Sequence, residues 1–212
     1  MYMTIDGRGV ETRPDERLLD LIRRLGVAGS TLSDRPLAAK IVGEVFTLNY
    51  IPQRNKDADT DRPSIRRAMS ASGGMVHLLY YADESGKECY IRTAHFVIFL
   101  ALKQLWPQAR TKMNCTLGDS VYVEVAGTED FSVSALKARM TQIVKEDIPL
   151  IRRRISLEEA AAYYQRSNQP DKARLLTWRN VDYFDAYFHG NFADYYYGEM
   201  MPSTGYLTVW DI

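Results

Sequence analysis

This sequence has few cysteines. It also lacks long hydrophobic runs and an excess of charge of one sign. Only two cysteines occur, Cys89 and Cys115, without CxxC spacing, so neither a disulfide framework nor a zinc knuckle is encoded. The longest apolar run, residues 96–102, is far shorter than the ~20 residues that a bilayer span requires. The first residues lack the charged and apolar regions of a signal peptide. We therefore expect no membrane partner and a cytoplasmic protein.

The charges balance, since 27 lysines and arginines face 27 aspartates and glutamates. No global field would concentrate such a protein on nucleic acid, so a polyanion site must be a local patch. With 212 residues, 46% of them hydrophobic, the chain is long enough for one large or two small domains with real cores.

Sequence motifs for catalysis are missing as well. The P-loop pattern GxxxxGK[ST] fails at the one Gly-Lys pair, Gly86-Lys87, because Tyr81 stands at the first glycine position and Glu88 follows the lysine. No GxSxG nucleophile elbow occurs. The sequence therefore predicts no ATP cradle and no cofactor in this chain.

The first third alternates short strands with one helix. Residues 1–5 and 10–12 predict a hairpin, residues 14–16 open a helix that Gly26 ends, and residues 37–42, 45–51 and 75–81 predict further strands, the last of them the closing strand. Residues 52–64 are almost wholly polar and predict a mobile surface loop, either solvated or touching a partner. Residues 83–86 predict a boundary.

The remainder predicts an α+β arrangement. A long helix at residues 88–105 precedes a hairpin at 110–125 that turns at 117–119, and an amphipathic helix follows at 132–146. Residues 156–159 form a capping box that opens another helix after a basic strand at 151–155. A short helix at 172–178 and strands at 181–187, 193–197 and 205–210 complete the prediction.

Two segments carry a resemblance to a known family. RTAHFVIFLALKQLWP, from Arg92, and ADYYYGEMMPSTGYL, from Ala193, resemble the paired motifs of the second additional domain of threonyl- and alanyl-tRNA synthetases. In those enzymes two histidines one helical turn apart and a distant Cys/His pair form an editing site. Here the four positions fall on Arg92, Phe96, Tyr196 and Met200, which cannot form a zinc site because arginine stays protonated and phenylalanine has no donor atom.

The resemblance implies a metal-free remnant of that site. We expect Arg92 to face a carboxylate or a bound anion, with Tyr196 supplying a hydroxyl and Phe96 and Met200 filling the former metal space. The alternative is an internal bridge from Arg92 to Asp194, which matches an acidic residue of the synthetase motif, or to Glu124. His95 is offset by about 100° on the helix, and we expect it to be structural.

The first third, centred on residues 36–43, resembles the TGS domain of threonyl-tRNA synthetases, although any ubiquitin-like module would show the same order of elements. The predicted fold class is therefore α+β: a small β-grasp, TGS-like domain over residues 1–85, followed over residues 86–212 by a domain like the synthetase editing domain.

This combination resembles the amino-terminal halves of bacterial nucleoside kinases of the uridine kinase/phosphoribulokinase class. The resemblance implies a noncatalytic regulatory or substrate-binding region of a longer protein, with its own C-terminal kinase domain as partner and a nucleotide as ligand. ATP and magnesium would belong to that kinase domain only. The alternatives are an RNA-binding module related to threonyl-tRNA synthetases and an editing hydrolase that acts on aminoacyl-tRNA.

Basic residues in the last third suggest a candidate polyanion patch interleaved with Tyr163, Tyr164 and Trp178. Phosphates would pair with the cations and bases would stack on the rings. The alternative is a charged strand and a solvated helix face. The patch comprises Arg152, Arg153, Arg154, Lys172, Arg174 and Arg179.

Overall fold

A computed structural model describes residues 2–52, 74–118, 120–167, 169–178, 180 and 182–212 of the chain. The predicted loop at residues 52–64 lies outside the described residues from position 53 onward. The elements form an α+β fold, which confirms the predicted fold class.

The first part of the chain forms a five-stranded sheet with one helix. Its strands are β1 (Tyr2–Ile5), β2 (Arg8–Glu11), β3 (Ala38–Ile41), β4 (Glu44–Thr47) and β5 (Met75–Leu79), in the order β2-β1-β5-β3-β4. β5 runs parallel to β1 and antiparallel to β3. The predicted closing strand therefore lies at the centre of the sheet, where it joins the two hairpins.

Helix α1 spans Leu18–Arg24 and starts later than predicted. Glu16 does not enter the helix, because its carboxylate accepts from the Arg13 backbone and pairs with Arg24. The first helical N–H groups instead donate to the chain that follows β4, with Leu18 bonded to the carbonyl of Tyr50. These contacts fix the helix on the sheet.

The long helix α2 spans Glu84–Leu105, four residues earlier than predicted. Gly86 explains the early start, because a Cβ there would lie 1.9 Å from the carbonyl oxygen of Tyr80. The helix can therefore pack its first turn directly against the end of β5. The predicted division between residues 85 and 86 falls inside this turn and stays a prediction.

A two-stranded hairpin and a helix follow. Strands β6 (Arg110–Leu117) and β7 (Ser120–Ala126) pair with a register shift between Met113 and Cys115. Helix α3 spans Val133–Lys145, and the Ser132 hydroxyl caps it by accepting from the Ala135 backbone. Both elements confirm their predictions.

The last part contains a three-stranded sheet, β10-β9-β8, from β8 (Arg152–Ser156), β9 (Tyr183–His189) and β10 (Phe192–Asp194). Helices α4 (Leu157–Arg166) and α5 (Pro170–Leu176) connect β8 to β9, and the predicted capping box of Ser156 and Glu159 is present. β10 ends at Asp194, earlier than predicted.

The predicted strand at residues 205–210 is wrong, since Thr204–Tyr206 form a 3₁₀ turn. The Thr204 hydroxyl donates to the carbonyl of Ile143 and accepts from the backbone of Ile148. These bonds hold the segment at the end of α3, away from the sheet.

One hydrophobic cluster runs through both parts of the chain, from Met3 to Leu207. Asn49, in the first part, donates to the carbonyl oxygens of Leu150 (3.2 Å) and Pro202 (2.7 Å), in the second. A smaller cluster lies under α4 and α5, around Tyr164 and Phe184. Within the described residues, every helix is too short or too polar to cross a membrane.

Candidate functional site

The structure brings together the four positions aligned with the synthetase editing site. Arg92 and Phe96 lie one turn apart on α2, and Tyr196 and Met200 lie in the segment that follows β10. Phe96 and Met200 are fully buried, and the ring centroids of Phe96 and Tyr196 are 6.4 Å apart. This segment is pinned to α2 because the Thr93 hydroxyl accepts from the backbone of Met201.

Arg92 forms neither of the bridges considered from the sequence. Its Nη2 lies 2.6 Å from Oε2 of Glu88, one turn earlier on α2, and its Nη1 donates to the carbonyl oxygen of Glu199 at 3.2 Å. Asp194 pairs instead with Lys172, and Glu124 accepts from Asn114. The predicted partners were wrong because sequence alignment could not show which acids reach the helix face.

Glycine is favoured where the chain passes the guanidinium of Arg92, because the backbone there has a positive φ. Gly198 has a φ of 115°, and a Cβ on it would lie 2.8 Å from Cζ of Arg92. The backbone therefore closes directly over the arginine, which leaves its side chain only 21% exposed.

A buried ion pair that the sequence did not suggest lies beside these residues. Nη2 of Arg152 is 3.1 Å from Oε1 of Glu199, and the two side chains are 12% and 6% exposed. The hydroxyl of Tyr187 donates to the other oxygen of Glu199 and accepts from the backbone of Met200. Each carboxylate oxygen of Glu199 therefore has a partner, which a buried charge requires. The sequence indicated Arg152 only as a member of the basic run at residues 152–154.

The thiol and the two phenols at this site are held in their protonated forms. Burial raises the pKa of the Cys89 thiol to about 12. Burial also raises the pKa of Tyr187 well above its ordinary value, helped by the charge of Glu199. Burial and then the nearby Asp194 carboxylate raise the pKa of Tyr196. Neither a thiolate nor a phenolate is therefore present at neutral pH to act as nucleophile or base.

Two buried polar atoms at this site form no hydrogen bond with normal geometry to any described residue: Nε of Arg152 and the hydroxyl of Tyr196. Over the same part of the chain, no three His, Cys, Asp or Glu side chains are placed to hold a metal ion. The arrangement is a packed polar network that positions backbone and side chains.

Within the described residues, the candidate polyanion residues are split between the two faces of β8 and helix α5. Arg152 and Arg154 lie on one face of β8 and Arg153 on the other, as alternation along a strand requires. Arg154 forms a bidentate pair with Asp185, and Lys172 pairs with Asp194. Arg174 is exposed. Arg179 lies outside the described residues.

Arg153 differs from its neighbours. Its guanidinium stacks over Phe188, with Cζ 4.8 Å from the ring centroid, and its side chain is exposed. No carboxylate among the described residues pairs with it. The aromatic rings near the basic residues also differ in exposure, since Tyr164 is buried and Trp178 is 82% exposed. Tyr197, also 81% exposed, was not singled out as a stacking residue.

No protein-family model matches the chain. The chain is similar over 57% to 94% of its length to several threonine–tRNA ligases. It is 26% identical to the Clostridium kluyveri enzyme over 204 residues, which are 94% of this chain and 29% of the ligase. The Desulforamulus reducens enzyme is 29% identical over 180 residues, 83% of this chain and 26% of that protein. The Burkholderia vietnamiensis enzyme is 31% identical over 124 residues, 57% of this chain and 19% of that protein.

The chain thus spans less than a third of the length of these relatives. The similarity supports the threonyl-tRNA-synthetase-like organisation inferred from the paired motifs.

Proposed function

We propose that this chain is a noncatalytic RNA-binding module of the threonyl-tRNA synthetase type, whose partner is a tRNA. The observation that carries the proposal is the 26% identity to a threonine–tRNA ligase over 94% of this chain. A ligase of that name acts on tRNA, and a region that is similar from end to end is a candidate to contact the same class of RNA.

Surface chemistry supports RNA over DNA or an anionic membrane. With a net charge of zero, the chain lacks the broad positive field that nonspecific polyanion binders use. Exposed aromatic rings at Trp178 and Tyr197 and the stacked guanidinium of Arg153 instead suit unpaired bases and single phosphates. We propose a cytoplasmic location on the same grounds, since tRNA is found there.

Hydrolytic editing is not part of this proposal, because the aligned positions supply packing and ion pairs in place of metal ligands or a base. We propose that the chain holds no structural metal and needs no cofactor. Zinc content of the purified protein, measured by elemental analysis, tests this directly; one tightly held zinc per chain would contradict it.

Binding of tRNA is tested by fluorescence anisotropy with a labelled threonine tRNA and, as competitor, duplex DNA of equal length. Trp178→Ala and Tyr197→Ala should each weaken binding by about 1–3 kcal/mol if the ring stacks on a base. Tyr2→Ala is the matched control, because Tyr2 is an exposed ring, 67% accessible, on a different sheet. A dissociation constant weaker than about 10⁻⁴ M, the weak end of nonspecific binding, would overturn the proposal.

A second candidate is the amino-terminal region of a nucleoside kinase, with the kinase domain elsewhere in a longer protein. One observation favours it: all four editing positions are replaced, as in the kinase halves that the sequence resembles. The similarity to threonine–tRNA ligases does not support a kinase parent. A GxxxxGK[ST] motif in the reading frame downstream of residue 212 would establish it, and uninterrupted synthetase sequence there would exclude it.

A further inference from the structure

A second face of helix α2 lines an open cleft that is separate from the aligned editing positions. The cleft has a volume of about 860 Å³ and lies between α2, α3 and the inner face of the β6–β7 hairpin. Alternating valines of β7 form one wall and two isoleucines of α2 form another: Val121, Val123, Val125, Ile91 and Ile98. This volume falls within the range of cavities that bind drug-sized molecules.

The charge around the cleft disfavours anions. Within the described residues, the lining includes no lysine or arginine, and its one carboxylate side chain is that of Asp211, which is paired with Lys137. A phosphate or carboxylate entering the cleft would meet apolar walls and no cation, so its desolvation would go uncompensated. An uncharged molecule carries no such penalty.

His95 is the polar group best placed to orient a ligand. It lies half-buried on the cleft-facing side of α2, between Ile91 and Ile98. Its ring forms no hydrogen bond or ion pair to another residue that the structure describes. Burial lowers its pKa, so the imidazole is neutral at pH 7 and offers one donor and one acceptor nitrogen.

The hydroxyl of Tyr90, which also lines the cleft, is already bonded to the backbone. The Tyr90 hydroxyl donates to the carbonyl of Val209 and accepts from its backbone N–H, both at 2.8 Å. Tyr90 thereby holds residues 209–212 as the end wall. The cleft combines largely apolar walls with the imidazole of His95 and with the polar groups of Tyr81, Ser120 and Trp210.

We propose that the hairpin cleft binds an uncharged, planar, largely apolar molecule that hydrogen-bonds to His95. This site does not depend on RNA binding by the chain. Its occupant is defined by three features of the cleft: a volume for two or three fused rings, walls without cations, and one imidazole free to pair with a hydroxyl or carbonyl.

The probe for this site is Nile red, an uncharged planar dye whose fluorescence rises in apolar surroundings. We expect saturable binding of one dye per chain, lost in Val123→Trp, where the indole fills the cleft. Lys112→Trp is the matched control, since Lys112 is an exposed residue of β6 opposite Glu124, on the outer face of the hairpin. It should bind the dye as the wild type does. Equal loss in both variants, or dye binding without saturation, would overturn the proposal.

Three displacers of similar size then test the chemistry: 1-naphthol, 1-methylnaphthalene and 1-naphthoate. The naphthol should displace the dye roughly 2- to 12-fold better than methylnaphthalene, the gain expected of one net hydrogen bond. His95→Phe should remove this advantage without lowering affinity for methylnaphthalene. The anionic naphthoate should be the weakest of the three; if it displaces as well as naphthol, or if His95→Phe leaves the naphthol advantage intact, the proposed ligand class is wrong.

Discussion

Helix α2 has one face that is closely packed and another that borders an open cleft. Phe96 lies on the first face and its neighbour His95 on the second. Phe96 points into a sealed region where Met200 is fully buried and Arg92, Arg152 and Glu199 are paired. His95, one residue earlier, lines an open cleft and has no hydrogen-bond partner among the described residues. The comparison teaches that two faces of one helix can differ sharply, because apolar side chains and ion pairs fill the space beside one of them. A cavity can persist on the same helix where nothing fills it.

The largest effect should come from breaking the ion pair of the sealed face. Glu199→Ala leaves the guanidinium of Arg152 buried without its carboxylate, and we expect a loss of about 3–5 kcal/mol in the free energy of unfolding. Urea unfolding followed by circular dichroism measures it. Removing both charges with Arg152→Met and Glu199→Leu should restore most of the loss. A single-variant loss below about 1 kcal/mol, the range of exposed pairs, would show that the face is not sealed.

A matched pair of truncations sharpens the contrast between the faces. Phe96→Ala should cost about 3–5 kcal/mol of unfolding free energy, because it leaves a void in a packed core. Ile98→Ala, on the cleft face, should cost less than about 2 kcal/mol, the low end for a buried aliphatic truncation, since its surroundings are already open. Similar losses in the same urea experiment would remove the distinction.

The close approach of backbone to Arg92 predicts a smaller effect. Gly198→Ala combines a positive φ with a Cβ contact at 2.8 Å, and we expect a loss of about 1–3 kcal/mol. Gly190→Ala is the control, since Gly190 also has a positive φ but no atom within 4 Å of its Cβ position. It should cost less than Gly198→Ala. Adding Arg92→Ala to Gly198→Ala should relieve part of the loss, and strict additivity in thermal unfolding would argue against the contact.

The reactivity of the two thiols compares a buried with an exposed part of the protein without a mutation that alters stability. Cys89 lies in the sealed region, where burial raises its pKa to about 12 and so keeps it protonated at pH 8, whereas Cys115 is exposed on β6. A disulfide reagent at pH 8 should titrate one thiol quickly in the native protein and two after unfolding. In Cys115→Ser the fast reaction should vanish. Two fast thiols in the native wild type would mean that the region around Cys89 opens.

Periodicity and turn residues predicted much of the fold. The amphipathic helix predicted at residues 132–146, the capping box at Ser156 and the β6–β7 hairpin all occur where local sequence placed them. Errors arose where long-range contacts decide, as at Thr204, whose hydroxyl is held by α3. The central place of β5 in the sheet also depends on pairing with strands distant in sequence.

The candidate site shows the same limit. Sequence alignment identified Arg92, Phe96, Tyr196 and Met200 as a group, and the structure brings them together. The sequence could not identify Glu199 as the partner of Arg152, because the two residues lie 47 positions apart by their numbers and no local pattern links them. Nor could it show that the face bearing His95 borders a cleft, which depends on where the hairpin packs.

The central proposal, that this chain is a noncatalytic tRNA-binding module, is tested most directly by one assay. A threonine tRNA charged with the wrong amino acid is incubated with the protein, and complex formation and ester hydrolysis are measured in the same sample. The account predicts that the tRNA is bound while the ester decays at the rate of a protein-free control. Faster hydrolysis in the presence of the protein, or no detectable complex, would contradict it.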